Sequence, residues 1–326
     1  MKGVIATAPG GPEVLAVTEV PDPEPRDGEV LLRVRASAVN RADLLQRQGR
    51  YAPPTGASHV LGLEAVGEVL DASRAPEAGL SPGDRVMCLV TGGGNAELLA
   101  APAVNCIAVP PGMSWEQAAA IPEVFITAYQ GLVRLGRLAP GDVALVHSIA
   151  SGVGTAAAQV CRAIGARCIG TSRREDRASA GEPWGATPLV VTDGAFADAV
   201  RDMTDGHGAD VILDLVGASY LEENVRALAR GGRLVLTGLV GGRTGRLDMG
   251  ALIAGQGTIH ASSLRGRDVI DKAAIMRDFA AWATPLFESG QLEPVIDRVL
   301  PLDQVAAAHA HLEADAAVGK VVLAVP

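Results

Sequence analysis

The spacing of hydrophobic positions divides the chain into a β-rich beginning, a middle in which strands and helices alternate, and a shorter mixed end. In the beginning, glycine and proline separate short apolar or alternating segments, a pattern that favours a compact, partly open β-barrel. The strands predicted there are 1–7, 14–20, 29–36, 65–70, 85–90 and 96–100. Two helices are predicted next, at 115–121 and 124–135.

The middle of the chain, residues 140–262, alternates short apolar runs with helical patterns. Six strands are predicted at 143–146, 166–170, 189–192, 211–215, 233–238 and 258–262. The clearest helices between them are predicted at 155–164, 195–203 and 220–228. Strands joined by helical crossovers form a parallel sheet with helices on both faces, so the fold class is α/β with a doubly wound sheet.

The C-terminal region has a long predicted helix at 267–288, a strand at 295–300, a helix at 302–313 and a last strand at 320–324. These two strands have no obvious place in the parallel sheet. We therefore expect them to return to the β-rich region.

The most informative motif follows the predicted strand 143–146. Ser151-Gly152-Val153-Gly154-Thr155 precedes an Ala-rich helix, and Ala157 completes a G-x-G-x-x-A pattern. Glycines there allow a tight turn and close approach of the backbone to a pyrophosphate, which the free N–H groups of the helix start can bind. The next strand, 166–170, completes a βαβ unit, and this context favours a dinucleotide site over an ordinary strand–turn–helix corner.

The residues after that second strand bear on which dinucleotide binds. A site that prefers NAD carries Asp or Glu about twenty residues after the first glycine. This chain has Arg173, Arg174 and Arg177 instead. Guanidinium groups bind a phosphate dianion through forked donors, so the sequence predicts NADPH. The alternative is a solvated loop in which Glu175 and Asp176 partly neutralise the arginines.

Composition narrows the classes of partner. The chain has 326 residues, enough for two domains, with 48% hydrophobic and 20% charged residues. A net charge of −9 and only 3% aromatic residues argue against nucleic acid or an anionic membrane as the main partner. No segment has the pattern of a membrane span or secretion signal, so we expect a cytoplasmic protein.

The cysteines and histidines give no metal signature. Four cysteines are scattered without a C-x-x-C pair, and six histidines form no H-x-x-x-H cluster. We therefore predict neither a disulfide framework nor a bound metal.

Five segments together resemble the medium-chain dehydrogenase/reductase superfamily, and within it the zinc-free quinone oxidoreductase branch. They are 38–51 (AVNRADLLQRQGRY), 61–65 (LGLEA), 92–96 (GGGNA), 118–123 (AAAIPE) and 151–155 (SGVGT). The resemblance implies a GroES-like β-rich catalytic domain at 1–122 and 267–326 and a Rossmann NADPH-binding domain at 123–266. It also implies a homodimer.

The resemblance also addresses zinc. Zinc-dependent alcohol dehydrogenases of this superfamily have a cysteine where Asn40 stands and a histidine where Leu63 stands. An amide and an isobutyl group cannot replace those ligands. Without a Lewis acid, alcohol oxidation loses its means of stabilising an alkoxide, whereas reduction of an electron-poor acceptor remains feasible.

Site residues follow from matching positions. The resemblance implies that Asn40, Asp43 and Tyr51 lie beside the nicotinamide, with Tyr51 a candidate proton donor. The simpler interpretations are a helix cap with a first-turn acid for Asn40 and Asp43, and a surface aromatic for Tyr51. Glu64 matches a superfamily acid that we expect to be structural and paired with an arginine.

Further cofactor contacts are expected from two sources. Val216 and Leu239 follow predicted strands and belong to loops at the carboxyl edge of the sheet, where ligands bind. The resemblance adds Thr127 and Leu264 near the nicotinamide. Thr127 can equally be a plain helix-interior threonine.

The leading functional hypothesis is an NADPH-dependent quinone oxidoreductase. A reductase of α,β-unsaturated carbonyls would use the same cofactor geometry, and the sequence does not separate the two. A non-enzymatic alternative is an NADPH-binding regulatory, RNA-binding or crystallin-like protein, against which the acidic balance and few aromatics count.

Overall fold

The computed structural model describes all 326 residues, and their contacts divide the chain into two compact units. The first unit contains Met1–Ile126, Leu264–Ser289 and Glu293–Pro326. The second contains Thr127–Ser263 and Gly290–Leu292. The chain therefore leaves the first unit after Ile126 and again, briefly, after Ser289, and the C-terminal segment completes that unit.

The first unit begins with β structure, as its hydrophobic pattern indicates. Its strands up to residue 108 are β1 (Lys2–Ala6), β2 (Leu15–Glu19), β3 (Glu29–Val39), β4 (Glu64–Asp71), β5 (Arg85–Leu89), β6 (Leu98–Pro102) and β7 (Cys106–Ala108). The first helices of the chain are α1 (Arg41–Arg47), α2 (Trp115–Ala119) and α3 (Pro122–Tyr129). A π-helix, Gln130–Leu135, continues α3, where a single regular helix to Leu135 was predicted.

The second unit is built on β8 (Val143–Val146), whose four residues are all buried, as expected of a strand covered on both faces. The other strands are β9 (Arg167–Ser172), β10 (Ala186–Val190), β11 (Ala209–Asp214), β12 (Leu228–Leu236) and β13 (Thr258–Ala261). The helices are α4 (Gly152–Ile164), α5 (Glu175–Ala178), α6 (Ala197–Met203), α7 (Leu221–Ala227) and α8 (Met249–Ala254).

All neighbouring strands of this sheet run parallel, in the order β10-β9-β8-β11-β12-β13. The order runs outwards from β8 in both directions, which is the doubly wound Rossmann topology. The predicted fold class is therefore confirmed. In such a sheet the switch point lies between β8 and β11, and the loops at the carboxyl ends of the strands there are the usual ligand-binding elements.

The C-terminal region contains α9 (Val269–Glu288), β14 (Ile296–Pro301), α10 (Val305–Glu313) and β15 (Lys320–Ala324). β15 pairs with β3, Val321 facing Val39 and Leu323 facing Ser37. The C-terminal strands thus return to the first unit, as the sequence led us to expect. The result is a seven-stranded sheet in the order β14-β15-β3-β4-β5-β7, with β6 also on β3.

Two element boundaries differ from the prediction for identifiable reasons. β10 begins at Ala186 rather than at residue 189 and contains Pro188. Proline is tolerated because β10 is an edge strand, where one side of the backbone has no partner. α4 begins at Gly152 rather than at residue 155, since Ser151 caps it and both glycines belong to its first turn.

The helix α8 was not predicted from the sequence.

None of the helices combines the length and the apolar character that crossing a bilayer requires.

Candidate active site

The turn between β8 and α4 has the geometry of an anion site. The Ser151 hydroxyl accepts a hydrogen bond of 3.0 Å from Gly154 N, which caps the helix. A Cβ at Gly154 would clash with the carbonyl oxygens of Ser148 and Ile149, so only glycine fits. The N–H groups of Gly152 and Val153 have no partner within the chain because they open the helix. A pyrophosphate fits this turn.

The arginines after β9 lie on an accessible loop. Arg173 and Arg174 are exposed, and Arg177 is half-buried on α5. Arg174 forms a forked pair with Asp176, Nε to Oδ1 at 3.0 Å and Nη2 to Oδ2 at 2.5 Å. That hydrogen bond holds the pKa of Asp176 below its usual value. Because exposed pairs of this kind are weak, a phosphate dianion can compete for Arg174.

Two further loops at the carboxyl edge of the sheet touch each other. Val216 N and Gly217 N donate to Asp214 Oδ1 at 2.7 and 3.0 Å, which closes the turn after β11. Gly241 N donates to Val216 O at 2.8 Å, so the loop that follows β12 is held against this turn. Leu239, in that loop, is 51% exposed. The structure therefore brings the Val216 and Leu239 segments together.

In the first unit, a buried polar cluster surrounds Asn40. Its Nδ2 donates to Glu64 Oε1 at 2.8 Å, and its Oδ1 accepts from Lys320 Nζ at 2.6 Å. Lys320 Nζ also donates to Glu64 Oε1 at 2.7 Å. The expectation that Glu64 pairs with an arginine is therefore wrong, because its cationic partner is a lysine on the last strand. No local pattern in the sequence points to Lys320.

Asp43 lies directly beside this cluster, at the start of α1. Its Oδ2 accepts from Asn40 N at 2.8 Å, so the cap-and-acid interpretation holds for the backbone. Its Oδ1 is buried without a partner. Burial raises the pKa of Asp43 to about 6, despite the hydrogen bond from Asn40 and the charge of Lys320. Asp43 is thus a carboxyl that can hold a proton close to neutral pH.

Glu123 is a second carboxyl of this kind, and the sequence gave no local signal for it. Its backbone N–H donates to Glu64 Oε2 at 2.8 Å, which ties the start of α3 to the cluster. Burial, and then the negative charge of Glu64, raise the pKa of Glu123 to about 7. Lys272, on α9, has its pKa lowered by burial and partly restored by Glu123.

Tyr51 is connected to these groups through Arg265. The Arg265 guanidinium carbon lies 5.1 Å from the centre of the Tyr51 ring, within cation–π range. Arg265 also donates to Thr91 O and to Gln46 Oε1, while its Nη1 is buried without a partner. Burial lowers the pKa of Arg265, and the charge of Asp43 partly opposes this. The Tyr51 ring is therefore positioned in its loop by the contact with Arg265.

The positions of Thr127 and Leu264 do not distinguish a structural role from a ligand-binding role. Thr127 lies within α3 and is 8% exposed, and Leu264 follows β13 and is 7% exposed. Each is buried in its own unit, as expected of either a helix-interior or a ligand-lining residue.

The groups around Asn40 do not fit a zinc ion. Both polar atoms of its amide are engaged with Lys320 and Glu64, and Leu63 is buried and apolar. An ammonium already lies against Asn40 and Glu64, where its charge would repel a divalent cation. No cluster of three or more His, Cys, Asp or Glu side chains with metal-site geometry occurs in the chain.

A parallel nucleotide-binding sheet joined to a β-rich unit that the C-terminus completes defines a nicotinamide-dependent dehydrogenase fold. Residues 26–111 match the family described as "Alcohol dehydrogenase GroES-like domain", and residues 152–280 match "Zinc-binding dehydrogenase". The chain belongs to the medium-chain dehydrogenase/reductase superfamily and is an oxidoreductase of that superfamily.

Relatives cover nearly the whole chain. A quinone oxidoreductase from Homo sapiens is 30% identical over 96% of this chain and 94% of its own. An acryloyl-coenzyme A reductase from Metallosphaera sedula is 30% identical over 99% of both chains. The polyketide synthase GfsB from Streptomyces halstedii is 32% identical over 92% of this chain, which spans only 5% of that protein.

Solved structures agree on the fold. An NAD-dependent alcohol dehydrogenase superposes with a TM-score of 0.86 at 33% identity, covering 100% of both chains. A mycobacterial protein in complex with NADPH superposes with a TM-score of 0.89 at 30% identity, covering 99% of both chains.

The buried ion pair gives a testable prediction. Lys320→Met keeps an unbranched side chain, shorter by the terminal nitrogen, and leaves the Glu64 carboxylate buried without a cation. We expect the free energy of unfolding to fall by about 3–5 kcal/mol, measured by guanidinium denaturation. The control is Glu64→Gln/Lys320→Met, which should be more stable than Lys320→Met because no uncompensated charge remains. Wild-type stability in Lys320→Met would contradict this account.

Proposed function

We propose that the protein is an NADPH-dependent quinone oxidoreductase that transfers hydride to a quinone without a metal. The observation that carries the proposal is the set of groups around Asn40, where a lysine-bound amide and Leu63 stand at the positions of zinc ligands in zinc-dependent relatives. A quinone accepts hydride without a Lewis acid because the negative charge that develops is delocalised. The similarity to the human quinone oxidoreductase supports the same substrate class.

In this proposal the second unit binds the cofactor. Ser151, Gly152, Val153 and Gly154 would hold the pyrophosphate, for which the free N–H groups of the helix start are suited. Arg173, Arg174 and Arg177 would bind the 2′-phosphate of NADPH. Val216, Leu239 and Thr127 would contact the nicotinamide end, and Leu264, which belongs to the first unit, stays a predicted contact. The similarity to the mycobacterial NADPH complex supports this cofactor. Because the chain is also similar to an NAD-dependent alcohol dehydrogenase, NADPH and NADH have to be compared directly.

The first unit would provide the acceptor side of the reaction. Bound NADPH would supply the hydride. Tyr51, held by Arg265, would donate a hydrogen bond to a quinone oxygen and pass on a proton. Asn40 and Asp43 would orient this region rather than transfer protons themselves, since their contacts are directed towards Lys320, Glu64 and the α1 backbone.

A reductase of α,β-unsaturated carbonyls is the second candidate. It is favoured by the similarity to the acryloyl-coenzyme A reductase, whose coverage of both chains is as complete as that of any quinone oxidoreductase compared. Hydride addition to an activated alkene needs the same cofactor geometry and a proton for carbon instead of oxygen.

Turnover with defined acceptors tests the function. We expect rapid oxidation of NADPH with 9,10-phenanthrenequinone, unaffected by EDTA, and much slower oxidation of NADH. A 2-enal assayed in parallel separates the two candidates, because faster turnover of the enal would favour the second. Loss of activity in EDTA would contradict the metal-free mechanism, and NADH-only activity would contradict the cofactor.

The phosphate role of the arginines can be tested by charge reversal. Arg177→Glu should weaken NADPH binding by tenfold or more, roughly the loss of one charge-assisted contact plus new repulsion, and change NADH binding little. Fluorescence titration measures both affinities. The matched control is Arg230→Glu. It makes the same charge reversal at an exposed arginine near the amino end of β12, whereas the proposed cofactor loops follow the carboxyl ends of the strands. Equal losses for the two cofactors would remove the phosphate role.

We also propose a homodimer formed through the β13 edge of the parallel sheet. β13 has a neighbour on one side only, so its outer backbone groups are free to pair. The preceding helix α8 exposes two large apolar side chains, Met249 at 67% and Ile253 at 77%. An open strand edge that follows a helix with exposed apolar side chains is suited to a second copy of the chain.

Light scattering coupled to size-exclusion chromatography tests the dimer. We expect a dimer mass for the wild type and a monomer mass for Met249→Glu/Ile253→Glu, because the new charges would be buried at the interface. Val190→Glu places a charge on the opposite edge strand, β10, and should remain dimeric. A monomeric wild type, or a dimeric double variant, would contradict this interface.

A further inference from the structure

A buried histidine lies between β8 and the glycine turn of the second unit. His147 has no exposed surface. Its Nδ1 is 2.8 Å from Thr171 Oγ1, and its Nε2 is 2.7 Å from Asn224 Oδ1. Asn224 Nδ2 in turn donates to Asp214 Oδ2 at 3.0 Å. His147, Thr171, Asn224 and Asp214 form a continuous hydrogen-bonded chain, which we call the His147 network.

The partners define the protonation state of the imidazole. Asn224 uses its N–H on Asp214, so the atom that it presents to His147 is an oxygen, which can only accept. His147 therefore carries its proton on Nε2, and Nδ1 accepts from the Thr171 hydroxyl. Burial lowers the pKa of His147, which keeps the ring neutral at neutral pH.

The network ends on the loops to which we assign cofactor binding. Thr171 stands two residues before Arg173, and its carbonyl oxygen accepts from Ile149 N in the glycine turn at 3.0 Å. At the other end, Asp214 Oδ1 holds the N–H groups of Val216 and Gly217. Three strand ends, those of β8, β9 and β11, are thus joined through one imidazole.

Aromatic rings seal the imidazole from water. Phe196 and Tyr220 meet it edge to face, with ring centres at 5.0 and 4.9 Å. Burial raises the pKa of the Tyr220 phenol, and the charge of Arg173 partly opposes this. The charge of Arg173 is therefore felt at a ring that packs on His147.

Stability alone gives no reason for polar groups here. Replacing buried hydrogen-bonded groups on both sides by apolar groups of the same shape is close to neutral or stabilising. What apolar packing cannot do is orient donors and acceptors at the ends of three strands. We propose that His147 is a positioning residue of the cofactor site, which holds the Thr171–Arg173 and Val216–Gly217 segments in the arrangement that favours NADPH over NADH. This inference rests on the proposed cofactor.

Two variants of His147 separate its shape from its hydrogen bonds. His147→Phe keeps a ring against Phe196 and Tyr220 but removes the hydrogen-bond partner of Thr171 Oγ1 and of Asn224 Oδ1. We expect it to weaken NADPH binding by about tenfold and NADH binding by less, so that the selectivity falls. His147→Gln offers one acceptor and one donor from a single amide, and it should restore most of the selectivity.

A control variant accounts for simple destabilisation. The Thr204 hydroxyl donates to Val200 O and accepts from Gly208 N, at the amino end of β11 and away from the loops. Thr204→Val should lower the melting temperature while leaving both affinities unchanged. If His147→Phe kept the wild-type ratio of NADPH to NADH affinity, or changed it no more than Thr204→Val, the inference would be wrong.

A measurement on the wild type covers the case in which His147→Phe does not fold. Long-range ¹H–¹⁵N spectra should show His147 as the Nε2–H tautomer, and its signal should move when NADPH saturates the protein. A different tautomer or an unmoved signal would overturn the inference. Absence of NADPH binding by the wild type would instead refute the proposed function, so the two failures are distinguishable.

Discussion

The ion pair between Glu64 and Lys320 is the interaction on which the first unit depends. Both side chains are buried, Glu64 completely and Lys320 with 4% exposed, and a buried charge without its partner costs about 3–5 kcal/mol. The two residues are 256 positions apart, on β4 and β15. Because β15 reaches this place only by pairing with β3, the pair forms only when the C-terminal segment has returned. Completion of the sheet and orientation of Asn40 are therefore one event.

This constraint has a chemical consequence. Lys320 lies beside Asn40, which stands where zinc-dependent members of the superfamily are expected to have a cysteine, but its contacts are all directed inwards, to Val39 O, Asn40 and Glu64. It therefore orients groups and does not polarise a substrate. Around it, Asp43 and Glu123 have pKa values of about 6 and 7. Under the proposed function, the first unit is better equipped to hold protons than to stabilise an alkoxide, which suits quinone reduction.

Local signals made the nucleotide half predictable. The strand Val143–Val146, the glycines of α4 and its Ala-rich body follow one another within about twenty residues, so pattern and spacing were sufficient. α8 was missed because its largest apolar side chains, Met249 and Ile253, face solvent and produce no buried stripe. The early start of β10 was missed because Pro188 is a signal against strands, except at an edge that only the assembled sheet reveals.

The first unit was predictable only as far as its signals were local. Asn40, Asp43 and Glu64 could be matched by position, but a lysine in the last strand gives no sign of being buried. Its partners lie more than 250 residues earlier, and no periodicity connects them. Glu123 is likewise an ordinary first-turn acid until Glu64 is placed beside its backbone. Raised pKa values depend on tertiary burial, which no local pattern contains.

The polar networks around Lys320 and His147 use the same physical device in the two units. Each has a buried, fully engaged side chain that joins segments distant in the sequence, and each ends on residues that the proposed function places near the cofactor or the acceptor. Apolar packing determines volume and is tolerant of small rotations. A hydrogen-bonded network determines direction, and an unpaired member is penalised by burial. A reaction that depends on the mutual orientation of a cofactor and an acceptor needs directional placement of side chains more than it needs additional stability. This need accounts for buried polar groups at positions where apolar side chains would allow the protein to fold equally well.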